Sequence, residues 1–172
     1  MKKWLFIALF AVFAGCAKTE TAWETVQDEA FEQVSVSGND LCRILVFTPE
    51  DAREVAQGGN SGRVFSNAGG EYKIKTRHFF ADSTESAIRQ VTGRNQNEIT
   101  VLEANRFGLP EYRFAWNEAG ESGSYDCRAE LVRDGNIWYS VVTAVREGLE
   151  NDYEDLSLQV FSSFGLYQDQ EI

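Results

Sequence analysis

Apolar and polar positions alternate along much of this chain, and each change of period marks an element. Val34 and Val36 alternate with polar neighbours, Gly38-Asn39 supply a turn, and Ile44 to Phe47 form a β-prone run. Thr48-Pro49-Glu50-Asp51 has the composition of a helix start. Thr48 can cap, Pro49 suits the first helical position, and the two acids favour its positive end. Gly58-Gly59 would stop that short helix, and "GGNSG" reads as a loop. "RVFSNAGGEYKIKTRHFF" predicts a hairpin turning at Gly69-Gly70. Its second strand places Tyr72, Ile74, Thr76, His78 and Phe80 on one face and Lys73, Lys75 and Arg77 on the other. Asp82 and Glu85 have capping-box spacing for a helix over 83–92. Ala87, Ile88 and Val91 would be its buried stripe and Gly93 its stop.

Residues 99–104 predict another strand, and Phe107-Gly108-Leu109-Pro110 a turn. Three strands follow. Tyr112, Phe114 and Trp116 share one face, as do Tyr125, Cys127, Ala129 and Leu131. "NIWYSVVTAV" is apolar on both faces and predicts a central strand covered on each side. The links "EAGESG" and "RDGN" are turn sequences. Tyr153, Leu156, Val160, Phe161 and Phe164 recur at helical spacing and predict a closing helix near 151–164, with "LYQDQEI" trailing off. Strands joined by short turns give an antiparallel sheet, and the amphipathic helices must cover it. The expected class is α+β, an antiparallel β-sheet covered by helices in a single domain.

The first residues follow another logic. Lys2 and Lys3 precede an unbroken apolar run from Trp4 to Phe13. That run is too short to span a bilayer, which takes about 20 residues, but it fits a secretory signal. Phe13-Ala14-Gly15-Cys16 resembles the bacterial lipobox, in which the cysteine thiol receives a diacylglyceryl group and becomes the new N-terminus. Leu is commoner where Phe13 stands. An ordinary secretory peptide with Cys16 incidental is the alternative. The expected organisation is a lipoprotein signal peptide at 1–15, a lipidated tether at 16–30, a globular domain at 31–167 and a tail at 168–172. The resulting address is the extracytoplasmic side of the cell membrane, held by lipid on Cys16.

Charge and composition narrow the function. The formal net charge is −11 over 172 residues, and −13 once Lys2 and Lys3 leave with the signal. Phosphate binding relies on clustered Lys and Arg, so nucleic acid is not an expected partner. Apolar residues at 43% and aromatics at 13% indicate a packed globule instead of a disordered stalk. With Cys16 lipidated, Cys42 and Cys127 remain. In an exported chain two thiols often pair, and the alternative is two buried free thiols. Two cysteines and one histidine fall short of a metal site, and no cofactor is expected.

Candidate chemistry is sparse. His78 is the single histidine, and no G-x-S-x-G elbow accompanies it. Glu103, Glu111, Glu118, Glu121 and Asp126 could supply a pair of carboxylates for hydrolysis, but a solvated sheet face and turn is the plainer reading of them. The acidic run from Glu147 to Asp155 lacks the spacing of a calcium loop. The basic stripe Lys73, Lys75 and Arg77 stands out in so acidic a chain. It reads either as a ladder with acidic neighbours or as a small anion or partner patch.

Two stretches, "GNIWYSVVTAV" and "YEDLSLQVFSSFGL", together with the order of elements, resemble the PsbP/Mog1-like superfamily over the last hundred residues. Gln90-Val91-Thr92-Gly93, the Trp116 to Gly123 turn, Cys127-Arg128-Ala129 and Ser163 to Leu166 are similar to uncharacterised lipoproteins of Gram-positive, clostridial type. The resemblance implies the same fold and address and an accessory or binding role, not catalysis. The expected function is a membrane-anchored binding or accessory module that is not an enzyme, with an unknown protein or envelope partner. An envelope hydrolase using an unrecognised carboxylate site is the alternative.

Overall fold

The computed structural model describes residues 33–34, 42–57, 62–120 and 123–167. The signal segment, Cys16, the tether at 16–30 and the tail at 168–172 lie outside them. Two short strands, β1 (Gln33–Val34) and β2 (Arg43–Leu45), pair antiparallel. Next come β3 (Arg53–Gln57), β4 (Gly62–Ser66), β5 (Tyr72–Phe80) and helix α1 (Thr84–Thr92). A 3-10 turn at Gln96–Glu98 leads into β6 (Val101–Arg106), β7 (Leu109–Gly120), β8 (Gly123–Asp134) and β9 (Ile137–Arg146). Helix α2 (Glu154–Ser163) and β10 (Gly165–Tyr167) close the described chain.

Strands β3 to β9 form one seven-stranded antiparallel sheet in the order β3-β4-β5-β9-β8-β7-β6. The strand read as apolar on both faces is β9, and it is central, with Trp138 to Val145 all buried. Alternation then assigns every side chain to a face. On the first face Phe65, Tyr72, Ile74, Val132, Tyr139 and Val141 cluster with Ile44, Val46 and Phe47 and with Leu156, Val160 and Phe164 from the end of the chain. On the second, Phe79, Phe114, Trp116, Cys127, Leu131 and Trp138 cluster with Ala87 and Ile88 of α1.

Four sequence expectations are corrected. Thr48 to Asp51 start no helix. Ala52 N donates to Pro49 O at 2.9 Å in a turn, and residues 53–57 continue as an edge strand. Pro followed by acids serves a type I turn as well as a helix start. The cap of α1 is Ser83, whose hydroxyl accepts from Ser86 N at 3.1 Å, one residue after the expected Asp82. Gly93 does end that helix, at φ 70°. Residues 165–167 do not trail off, because β10 pairs with β2 and completes a small three-stranded sheet. Finally, the disulfide does not form. Cys42 and Cys127 are both free and buried, Cys42 in the cluster on the first face and Cys127 in the cluster on the second. The central sheet stands between them, and a bridge needs Cα atoms within about 7 Å.

The closing helix keeps its expected phase, with Leu156, Ser157 and Val160 buried, although Phe161 is only partly so. Its C-terminal corner holds a buried charge network. Arg106 Nε meets Glu111 Oε1 at 2.7 Å and Arg106 Nη2 meets Glu130 Oε2 at 2.5 Å. Arg106 Nη1 also donates to the carbonyls of Phe161 and Phe164, each at 3.0 Å. Arg113 pairs with Glu111 at 2.9 Å and with Glu130 at 3.2 Å from the more open side. Burial pushes the Glu130 carboxyl up to about 7, with the Glu111 charge reinforcing it against the arginines. Glu111, held by hydrogen bonds from both arginines, lies below the usual range despite its burial.

Candidate functional site

Strand β5 carries both the histidine and the cations. On the first face His78 is 5% exposed, and its Nδ1 has no hydrogen-bond partner among the described residues. Burial lowers its pKa below the ordinary value. Among the described residues no serine or cysteine nucleophile is hydrogen-bonded to it, and it has the environment of a core residue. The unfolded chain takes up a proton as pH falls through about 6.5, whereas the folded chain resists it. Stability is therefore expected to drop between pH 7 and 5. In urea unfolding at the two pH values, His78→Gln should show a smaller drop than the wild type.

On the second face Lys73, Lys75 and Arg77 stand opposite Ala144, Val142 and Ser140 of β9. Those partners offer no charge, so no ladder of acids runs beside the stripe. Among the described residues only Lys75 of the three reaches a carboxylate, with Nζ at 3.2 and 3.3 Å from the two Glu118 oxygens. The Lys73 ammonium sits 4.5 Å from the centre of the Tyr125 ring. The Arg77 guanidinium sits 4.5 Å from that of Phe79 and donates from Nη2 to Gln90 O at 3.0 Å, while its buried Nε has no partner. Among the described residues no carboxylate lies in ion-pair range of Lys73 or Arg77. Burial lowers the Arg77 pKa, yet a guanidinium stays charged at any physiological pH.

A cleft of about 160 Å³ opens between this stripe and the end of α1, lined by Gly62, Val64, Lys75, Arg77, Val91 and Val142 among others. Gly62 is required by a close approach. A Cβ there would stand 2.6 Å from Arg77 Cβ and 2.8 Å from Thr76 O. The stripe was legible as alternation, but the cleft was not, because Gly62 and Val91 are distant from it in sequence.

The remaining candidates disperse. Glu103 lines an open hollow of about 630 Å³ with Glu85 and Asn95 to Asn97, Glu118 is engaged by Lys75, and Asp126 faces Arg128 at 3.5 Å. Glu121 lies outside the described residues. The two carboxylates that do converge are Glu111 and Glu130, 1% and 5% exposed, and both are occupied by arginines. Glu130 and Arg106 escaped the sequence reading, since charged residues read as surface by default. The Cys127 thiol is fully buried, 3.8 Å from Glu118 Oε2, and burial pushes it up to about 12, leaving it inert as a nucleophile. A further cleft of about 300 Å³ beside α2 is lined by Asp51, Tyr72, Tyr153 and Asp155. There the Tyr72 hydroxyl donates to Asp51 at 2.7 Å and the Tyr153 hydroxyl to Glu71 at 2.6 Å. No group of three or more metal-ligating side chains occurs among the described residues, and none of their helices is long and apolar enough to cross a membrane.

No family model matches the chain, and no curated protein matches it by sequence. Solved structures do. The cyanobacterial PsbP protein CyanoP of Synechocystis sp. PCC 6803 superposes with a TM-score of 0.52 at 11% identity, covering 79% of this chain and 98% of its own. LpqN of Mycobacterium tuberculosis, described as involved in cell envelope biogenesis, gives 0.48 at 11% identity, covering 85% of this chain and 96% of its own. A Bacteroides thetaiotaomicron VPI-5482 protein gives 0.48 at 15% identity, covering 74% of this chain and 46% of its own. The chain has a PsbP-like fold, built on a mostly antiparallel sheet with two helices.

Proposed function

We propose that this protein is a binding or accessory module held on the extracytoplasmic face of the cell membrane by lipid on Cys16, with its contact surface on the Lys73, Lys75 and Arg77 face. The observation that carries the reading is a pair of cations, Lys73 and Arg77, without carboxylate partners among the described residues of a chain whose net charge is −11. Such a charge pattern repels anionic surfaces broadly and favours an anionic group at one place. The PsbP-like fold supports a non-catalytic role by analogy alone. The hydrolase alternative has less support, because Glu111 and Glu130 are buried among arginines, not exposed in a cleft.

Two measurements test the reading. Cys16→Ser should move the protein from the membrane fraction to the soluble fraction, and membrane retention by that variant would overturn the anchor. Crosslinking in intact cells should give partner adducts with the wild type and lose them in Lys73→Glu/Arg77→Glu. Adducts unchanged by the double charge reversal would exclude this face as the contact surface.

A further inference from the structure

The cleft beside the stripe has the features of a small-molecule site. Its volume, about 160 Å³, is close to that of an engineered protein cavity of about 150 Å³ that accommodates benzene. A ligand of six to eight heavy atoms is therefore the size class, well below the few hundred Å³ of a drug-like pocket. Three valines, Val64 on β4, Val142 on β9 and Val91 on α1, give the cleft apolar walls from three elements. Two cations, Lys75 and Arg77, give it a polar side, while Arg63, a third cation in its lining, is held by Glu54 at 2.6 Å.

The two cations differ in what already satisfies them. Lys75 is held by Glu118 at 3.2 Å, and its side chain is 35% exposed. Arg77 makes one hydrogen bond, from Nη2 to Gln90 O at 3.0 Å, and has no ion pair among the described residues. Its Nε is buried and unpartnered. A guanidinium presents five donors in a fork that matches a carboxylate, and the single bond to Gln90 leaves donors of Arg77 for an acceptor. Phosphate is a poorer fit, because it gains nothing from the valine walls.

From the cleft's size, its three valine walls and its unpaired guanidinium, we infer that it binds a small branched aliphatic monocarboxylate. The carboxylate lies against Arg77 and Lys75, and the branched tail packs between Val64, Val91 and Val142. This assignment rests on the second face being the contact surface, and it names the chemistry that surface takes.

The test titrates the full-length chain in detergent with isovalerate, isovaleramide and inorganic phosphate, read by calorimetry and by backbone amide shifts. Isovalerate should saturate with a Kd below about 5 mM, with shifts at Val91 and Val142. Isovaleramide and phosphate should each bind at least tenfold more weakly. Arg77→Gln should lose at least tenfold in isovalerate affinity, and Val91→Phe should abolish binding by filling the cleft from the helix side. Arg128→Gln, on an exposed ion pair away from the cleft, should bind as the wild type does. The thermal transition of each variant shows whether it is folded. Should either cleft variant fail to fold, the amide comparison and the shift map on the wild type still decide. A Kd above about 5 mM, equal binding of the amide, stronger binding of phosphate, or shifts that avoid the cleft would overturn the assignment. Partner crosslinking that persists under those outcomes would leave the broader binding reading standing.

Discussion

Arg106→Met should destabilise the protein by about 3–5 kcal/mol in urea unfolding at pH 8, a large part of the 5–15 kcal/mol available to a domain. The Arg106 side chain, 15% exposed, is the hub of a corner where β6, β7, β8 and the end of α2 meet. Its loss leaves Glu111 and Glu130 buried with only the half-exposed Arg113 to offset them, and it strips a donor from the Phe161 and Phe164 carbonyls. The pH dependence identifies the cause. Burial already raises Glu130, so a folded state without Arg106 holds a proton that the unfolded chain releases above about 4.3. The variant should therefore recover stability as pH falls from 8 towards 5. A loss below 1 kcal/mol would mean that the network adds nothing net, and a larger loss independent of pH would mean that the stranded Glu130 charge is not its cause. Replacing Glu130 as well, in Arg106→Met/Glu130→Leu, should restore part of the loss by removing one stranded charge.

Trp138→Ala should cost about 3–5 kcal/mol, the usual range for deleting a large buried ring. Trp138 is fully buried on the central strand, its ring 5.4 Å from that of Tyr112, and its Nε1 donates to Ala81 O at 3.0 Å. Trp138→Phe separates the two contributions. It keeps most of the packing but leaves the Ala81 carbonyl without its donor, and a cost of about 1–3 kcal/mol is expected. Thermal unfolding of the two variants side by side checks both figures.

The sheet was legible where a strand alternates. β5 announced both faces, and the apolar run of β9 announced its central place. Legibility failed where a local signal serves two structures. Thr48-Pro49-Glu50-Asp51 suits a turn or a helix, and only the pairing of β3 with β4 decides between them. It failed again at strand ends. Phe80 has the parity of His78, yet it is 64% exposed because the core stops short of it, while Phe79 is buried on the opposite face. Cysteine parity misled for a topological reason. Two thiols in one chain carry no record of which side of a sheet each occupies, and Cys42 arrives from outside the main sheet altogether. For the candidate site, the cations were visible and the valine walls were not. Val64, Val91 and Val142 lie on three separated elements that only the folded register brings together.

The central position of β9 has a consequence for the order of events in the cell. Strands β3 to β5 make one antiparallel meander and β6 to β8 another, and β9, the last strand of this sheet to be synthesised, is the one that joins them. Until residues 137–146 are available, β5 and β8 each present an unpaired strand edge and the two halves have no backbone connection within the sheet. Such non-local closure folds slowly. A polypeptide with that dependency stays unfolded through most of its synthesis, which suits the export that the proposed function requires. It also identifies the vulnerable interval: a nascent or proteolysed fragment ending before residue 137 exposes two sticky strand edges at once.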